Sequence, residues 1–265
     1  MEFTEVRPIT DVAMNILQKR YFKPGETTWE QLARRVIDNV WYRKEFAEDK
    51  EEAYAMLNHR FFIPNSPGLV NAGSRNGGLI ACFVVDFPDS IEGIYKTKLD
   101  FALIAKKGGG CGTTLSKLRP KNSSVAGSTH GYAGGPVAFF DTICNDMKAM
   151  TQSGFRSMAM MGTISVYAPD IMEFINAKEK EGVMTTTNIS VTVDDEFMKK
   201  VKSDGTYWTR FKGIKYQELR ARDVFNAIVE GAWRNGEPRI LFYTRVNDGP
   251  YKYSHQEIQA TNPCK

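Results

Sequence analysis

Nothing in the sequence is long and apolar enough to cross a bilayer, because no apolar run approaches the roughly 20 residues that such a span needs. The opening segment carries Glu2 and Glu5 and lacks the basic start and apolar stretch of a secretory signal. Together these absences predict a cytoplasmic protein without a membrane partner. Cysteine is scarce: Cys82, Cys111, Cys144 and Cys264 are scattered, none forms a CxxC pair, and there are only three histidines. That spacing argues against a zinc site, and no metal ligand set is expected. A dominant charge of one sign is also missing, since 35 basic against 31 acidic residues leave a net charge of +4. So small an excess suits anionic small molecules and predicts no nucleic-acid partner.

What is present is the composition of an ordinary globular protein, 265 residues with 42% hydrophobic and 25% charged side chains, enough for one substantial core. The first 60 residues read as a helical subdomain. In it Thr28 and Gln31 form a capping-box pattern ahead of Leu32, Val36, Ile37 and Val40 at helical spacing. From Phe61 to the end, short apolar runs alternate with longer amphipathic stretches. Helices are predicted over 90–105, 136–152, 170–178 and 223–233, and strands over 79–85, 162–166, 187–193 and 239–243. That alternation predicts a largely parallel sheet covered by helices. Two long loops, 118–135 and 150–162, read as functional segments, and 204–222 reads as a peripheral insertion or hairpin.

The individual motifs are open when taken singly. Gly108, Gly109, Gly110, Cys111 and Gly112 do not make a GxGxxG fingerprint, because Thr113 stands where its last glycine belongs, and no P-loop lysine follows. The run reads first as a structural turn and second as a ligand loop. Ser66 could bind an anion or simply cap a helix. Cys82, Cys111 and Cys144 read first as small inert hydrophobes.

Taken in order, however, a set of blocks resembles the ribonucleotide reductase family from about residue 10 onward. The blocks are 62–73 (FIPNSPGLVNAG), Ala81-Cys82-Phe83-Val84-Val85, Asp89-Ser90-Ile91, 107–112 with Arg119-Pro120, 131–140, Gln152-Ser153-Gly154-Phe155-Arg156, Pro169-Asp170-Ile171, Asn188-Ile189-Ser190-Val191, Gly236-Glu237-Pro238 and Thr261-Asn262-Pro263-Cys264. The wording of PNSP and TNPC is most similar to the adenosylcobalamin-dependent class. The resemblance implies an α/β fold, the first half of a ten-stranded α/β barrel preceded by the small helical subdomain, with a loop carrying a radical cysteine through the centre.

In that frame Cys264 would be the thiyl that takes hydrogen from the ribose 3′ carbon. Cys82 would be one of two thiols that reduce the 2′ position and end as a disulfide, and Asn262 would hydrogen-bond the ribose hydroxyls. Ser66, Ala81, Cys82 and Gly110 match substrate-holding positions. Asp89, Ser90, Ile91 and Arg119 match the positions that bind a deoxynucleotide (dNTP) effector, with Arg119 suited to phosphate, and Arg156 could reach the substrate or effector. A helix N-cap is the rival reading of Asp89 and Ser90.

The resemblance further implies a ribonucleotide substrate, adenosylcobalamin, a dithiol reductant and, since effector sites in the family lie near a dimer interface, a homodimer. The family continues past its Asn-Pro-Cys motif with a glycine and a glutamate base, whereas Lys265 follows Cys264 here. A C-terminal half or second chain is therefore expected to complete the barrel, through a split gene, an intein insertion or a truncated record. Two rival functions stay open: a non-catalytic deoxynucleotide-binding module and a metal-radical (class I type) large subunit.

Overall fold

The computed structural model describes residues 8–41, 47–75, 77–125, 131–149, 158–180, 182–249 and 256–263. They fall into two compact units, one made of 8–81 with 107–109 and the other of the remaining described residues.

The first unit is helical. Helix α1 (Asp11–Arg20) opens on Thr10, whose hydroxyl accepts from Ala13 N. Helix α2 (Trp29–Val40) opens on the predicted box: Thr28 Oγ1 accepts from Gln31 N, and Gln31 Oε1 accepts from Thr28 N. Its apolar stripe, Trp29, Leu32, Ala33, Val36 and Ile37, is buried with Leu57 of α3 (Lys50–Asn58) and with Leu69 and Ala72 at α4 (Ser66–Asn71). Arg35 pairs with Glu26 at 2.6 Å and donates to the Leu69 and Ala72 carbonyls, so one partly buried guanidinium ties α2 to the end of α4.

The second unit is built on a five-stranded, wholly parallel sheet in the order β1 (Cys82–Val84), β2 (Gly110–Thr114), β3 (Met160–Ser165), β4 (Thr187–Val193) and β7 (Arg239–Phe242). Helices connect the strands, as parallel pairing requires. They are α5 (Ile91–Lys106), α6 (Pro136–Ala149), α7 (Ile171–Ile175), α8 (Asp195–Ser203) and α9 (Ala221–Asn235), and α10 (Tyr243–Asn247) follows β7. An antiparallel hairpin, β5 (Thr206–Phe211) and β6 (Ile214–Arg220), lies between α8 and α9, where the sequence predicts an insertion. No helix of the described residues is long and apolar enough to cross a membrane.

Strand residues alternate between faces, and the two faces of this sheet differ sharply. Cys111, Met160, Ile164, Val166, Ile189, Val191 and Val193 belong to the buried core with Phe101 of α5 and Phe140, Ile143 and Met147 of α6. Each phenylalanine buried there contributes about 1.5–3 kcal/mol. Gly162 is small because of this packing, since a Cβ there would stand 2.5 Å from the Phe140 ring. The register places Gly112, Thr114, Thr163, Ser165, Ser190 and Thr192 on the opposite, mostly polar face.

Two readings of the sequence are corrected. The run 108–112 is a turn only at its start, where Gly108 has a φ of 79°; from Gly110 on the chain is β2, all five of whose residues are buried. Helix α8, absent from the expectation, is capped by Asp194, whose carboxylate accepts from Phe197 N at 2.7 Å.

Candidate functional site

The polar face is the candidate active site. Cys82 is the register partner of Gly110, and Val84 of Gly112, so these four residues project to one side of the sheet. Phe83 and Val85 pack into the core on the other side. The segment 256–263 lies on the Cys82 side. A Cβ on Gly112 would occupy the space of the Thr261 carbonyl, and one on Gly110 would come within 2.8 Å of Pro263 Cγ and 2.9 Å of the Ala159 carbonyl. The glycines of β2 therefore exist so that a second stretch of backbone can lie against the strand.

Two asparagines pin that segment. Asn247, in α10, takes both backbone groups of Ile258, donating to its carbonyl at 3.2 Å and accepting from its N–H at 2.8 Å. Asn188, in β4, donates from Nδ2 to the Pro263 carbonyl at 3.1 Å. Asn262, expected to hold ribose hydroxyls, sits between Thr261 and Pro263 on this face. Cys264 lies outside the described residues, as does Arg156.

The remaining cysteines have different fates. Cys82 is a half-buried cysteine in no disulfide. Burial pushes the Cys111 thiol up to about 12, with Asp100 adding to it, and burial pushes Cys144 up to about 12 despite the hydrogen bond from Thr187 Oγ1. Both stay protonated and unreactive at neutral pH, as expected of small inert core residues.

The residues expected at an effector site also converge. Asp89, Ser90, Ile91 and Arg119 line one cleft of about 380 Å³ with Tyr132 and Phe139. Ser90 Oγ accepts from Gly93 N at 3.0 Å and so caps α5, while Asp89 does something else. Its Oδ1 accepts from Arg119 N and from Arg119 Nε at 2.9 Å, and its Oδ2 is 3.5 Å from Lys212 Nζ at the hairpin tip. Burial raises the Asp89 carboxyl, but the hydrogen bonds and charge of Arg119 outweigh it and hold the group below the usual carboxylate value. Farther along the same loop Lys121 N donates at 3.0 Å to Asp170, the residue before α7 and predicted only as part of a motif, which anchors the loop base.

Of the other expected positions, Ser66 and Ala81 fall in the helical unit. Ser66 is not the cap of its helix. Asn65 caps α4 by accepting from Gly68 N, and Ser66 Oγ shares a 3.1 Å hydrogen bond with Tyr21 Oη. Asn188, Asn247, Lys212 and Glu237 were not singled out as site residues by sequence reasoning. Only their place in family-like blocks signals Asn188 and Glu237, and nothing in the sequence signals the other two.

A parallel α/β sheet with a glycine-floored polar face, a thiol at the start of its first strand and a loop laid across it defines the class: one half of a barrel built around a threaded loop. The chain belongs to the ribonucleotide reductase family. Residues 80–265 match the ribonucleotide reductase barrel domain, and residues 8–77 match the family's all-alpha domain. A vitamin B12-dependent ribonucleoside-diphosphate reductase of Thermoplasma acidophilum is 41% identical over 218 residues, which are 81% of this chain and 28% of that protein. A protein of the same description from Mycobacterium tuberculosis is 31% identical over 95% of this chain and 38% of its own length. The chain thus spans between 28% and 38% of these relatives. The fold matches that of the Actinobacillus ureae class Id ribonucleotide reductase alpha subunit, with a TM-score of 0.77 at 19% identity over 97% of this chain and 45% of that one.

Proposed function

We propose that this chain is the N-terminal portion of a ribonucleotide reductase catalytic subunit, reducing ribonucleotides to 2′-deoxyribonucleotides once the rest of the barrel is present. The carrying observation is the placement of 261–263 on Gly110 and Gly112, on the face to which Cys82 projects. In this reading Cys264, next after Pro263, is the thiyl that takes the 3′ hydrogen. The 2′ hydroxyl leaves as water, and Cys82 with a second thiol supplies two electrons and ends as a disulfide, which an external dithiol reopens. Asn262 binds the ribose hydroxyls, and Ser66, Ala81 and Gly110 hold the substrate. The names of the relatives point to a ribonucleoside diphosphate.

Adenosylcobalamin is the cofactor those names point to, and it supplies the radical that starts the reaction when bound. The glycine-floored bed that holds a thiol-bearing loop fits a protein whose task is to receive a radical on Cys264. No corrin contact is assigned to residues of this chain.

In the same reading Asp89, Ser90, Ile91 and Arg119 bind a deoxynucleotide effector, and Arg156 reaches toward substrate or effector. A homodimer is supported by α5, where Ile91, Tyr95, Leu99 and Leu103, one helical turn apart, are 57, 60, 57 and 51% exposed in a single apolar stripe beside the effector cleft. The test is deoxynucleotide formation by this chain joined to the remainder of its barrel, with adenosylcobalamin, a dithiol and an effector. Product that depends on both pieces and on the cofactor is expected. Nucleotide binding without product under any pairing would favour a non-catalytic binding module.

A further inference from the structure

We infer that Asn188 is a positioning residue for Cys264, holding the loop through Pro263 and itself fixed by the buried Lys178–Glu237 ion pair; the role assigned to Cys264 rests on the function proposed above. Asn188 reaches across the polar face to the carbonyl of the residue before the cysteine, at 3.1 Å. That carbonyl belongs to the last described residue before the cysteine, so the hydrogen bond fixes the end of the loop on which Cys264 follows.

Asn188 is unusually well fixed for the second residue of a strand. The peptide group before it is held by Lys178 Nζ, which donates to the Thr187 carbonyl at 2.6 Å. The one after it is held by Glu237 Oε2, which accepts from Ile189 N at 3.3 Å. Lys178 and Glu237 are themselves paired at 2.6 Å, with side chains only 16 and 7% exposed. One ion pair therefore brackets Asn188 on both sides. Two charges buried at the end of a strand are a poor way to gain stability, because desolvation offsets most of their attraction. Their use is orientation: paired and hydrogen-bonded to backbone, they leave the strand end one arrangement. Hydrogen-atom transfer from a fixed ribose to a sulfur tolerates little displacement, and a shift of about 1 Å in an aligned pair costs about 100-fold in rate.

Asn188→Asp keeps the shape and replaces the N–H donor with a carboxylate facing a carbonyl. Two readouts apply to the full polypeptide that contains this chain. Alkylation by iodoacetamide, followed at each cysteine by peptide mass, should rise about tenfold at Cys264, the worth of one hydrogen bond, while Cys111 and Cys144 stay silent as internal controls for folding. In turnover, kcat per folded molecule should fall about 100-fold with KM and effector affinity unchanged, the silence of Cys111 and Cys144 showing that the loss is not one of folded enzyme. Should Asn188→Asp expose Cys111 or Cys144, Asn188→Ala replaces it in both measurements. Unchanged Cys264 alkylation and unchanged kcat in the folded variant would overturn the inference. If the unsubstituted protein makes no deoxynucleotide, the functional reading fails, and the alkylation result still decides whether Asn188 tethers the loop.

Discussion

Cys82 stands beside Gly110 in the β1–β2 ladder, and Gly110 is the residue on which Pro263 rests. A thiol on one strand and the end of a separate loop are thereby brought to one face of the sheet by a residue that has no side chain. That relationship ties the glycine run to the chemistry proposed for the two cysteines.

Gly112→Ala should be the most damaging methyl group that can be added to this sheet. The new Cβ lands on the Thr261 backbone, which has to move. Overpacking of this kind costs about 1–3 kcal/mol, and the displaced loop should lower turnover of the complete enzyme about 100-fold. Chemical denaturation and steady-state kinetics on the same preparation measure both effects.

Gly162→Ala gives the contrasting case. Its Cβ projects to the apolar face, 2.5 Å from the Phe140 ring. Stability should fall by about 1–3 kcal/mol, while turnover of the fraction that remains folded should be nearly unchanged, because no residue of the polar face is touched. Denaturant midpoints compared with the activity per folded molecule separate these outcomes.

Asp89 holds Arg119 in the cleft proposed to bind an effector, which yields a pH dependence with a definite sign. Its carboxyl is held below the ordinary value of 3.8, so the stabilisation from the Arg119 contact is fully present above that value and is lost as pH falls through the lowered native one. Asp89→Asn should remove this acid-limb dependence. It should also weaken deoxynucleotide binding about tenfold, the scale of one charge-assisted hydrogen bond. Denaturant unfolding from neutral to acid pH reads the first, and calorimetric titration with a deoxynucleoside triphosphate at neutral pH reads the second.

The apolar stripe on α5 predicts self-association. Leu99→Lys puts a charge at its middle and should shift a dimer to a folded monomer, since Leu99 is 57% exposed in the single chain, with any loss in melting temperature limited to the part that association supplies and so dependent on protein concentration. Light scattering coupled to size exclusion measures the mass directly.

Much of this architecture is legible in the sequence, for identifiable reasons. Leu32, Val36 and Ile37 of α2 are buried and its capping box forms as the spacing predicts, while Val40 at the helix end is exposed, and strand 187–193 coincides with β4. The hairpin at 206–220 falls within the predicted insertion. Strand β2 was hidden because Gly-Cys-Gly-Thr-Thr has poor intrinsic strand preference. It is a strand only because its neighbours pair with it and the loop needs its bare face. Helix α8 was missed although Asp194 is a good capping residue, since the helix is short and strongly charged. At the site, the convergence of Asp89, Ser90, Ile91 and Arg119 follows from their motifs, whereas the tethers made by Asn188 and Asn247 depend on residues far apart in the chain and carry no local signal.

The central claim is that the loop ending in Cys264 and the strand beginning at Cys82 form one redox site, and it is tested most directly by turnover of the complete enzyme with each thiol replaced in turn. Cys264→Ser should abolish deoxynucleotide formation while nucleotide and effector binding persist. Cys82→Ser should block formation of the product disulfide, whereas Cys144→Ser, on a thiol that burial keeps protonated, should leave turnover within about twofold of the original. Normal turnover in the Cys264→Ser enzyme would contradict the account.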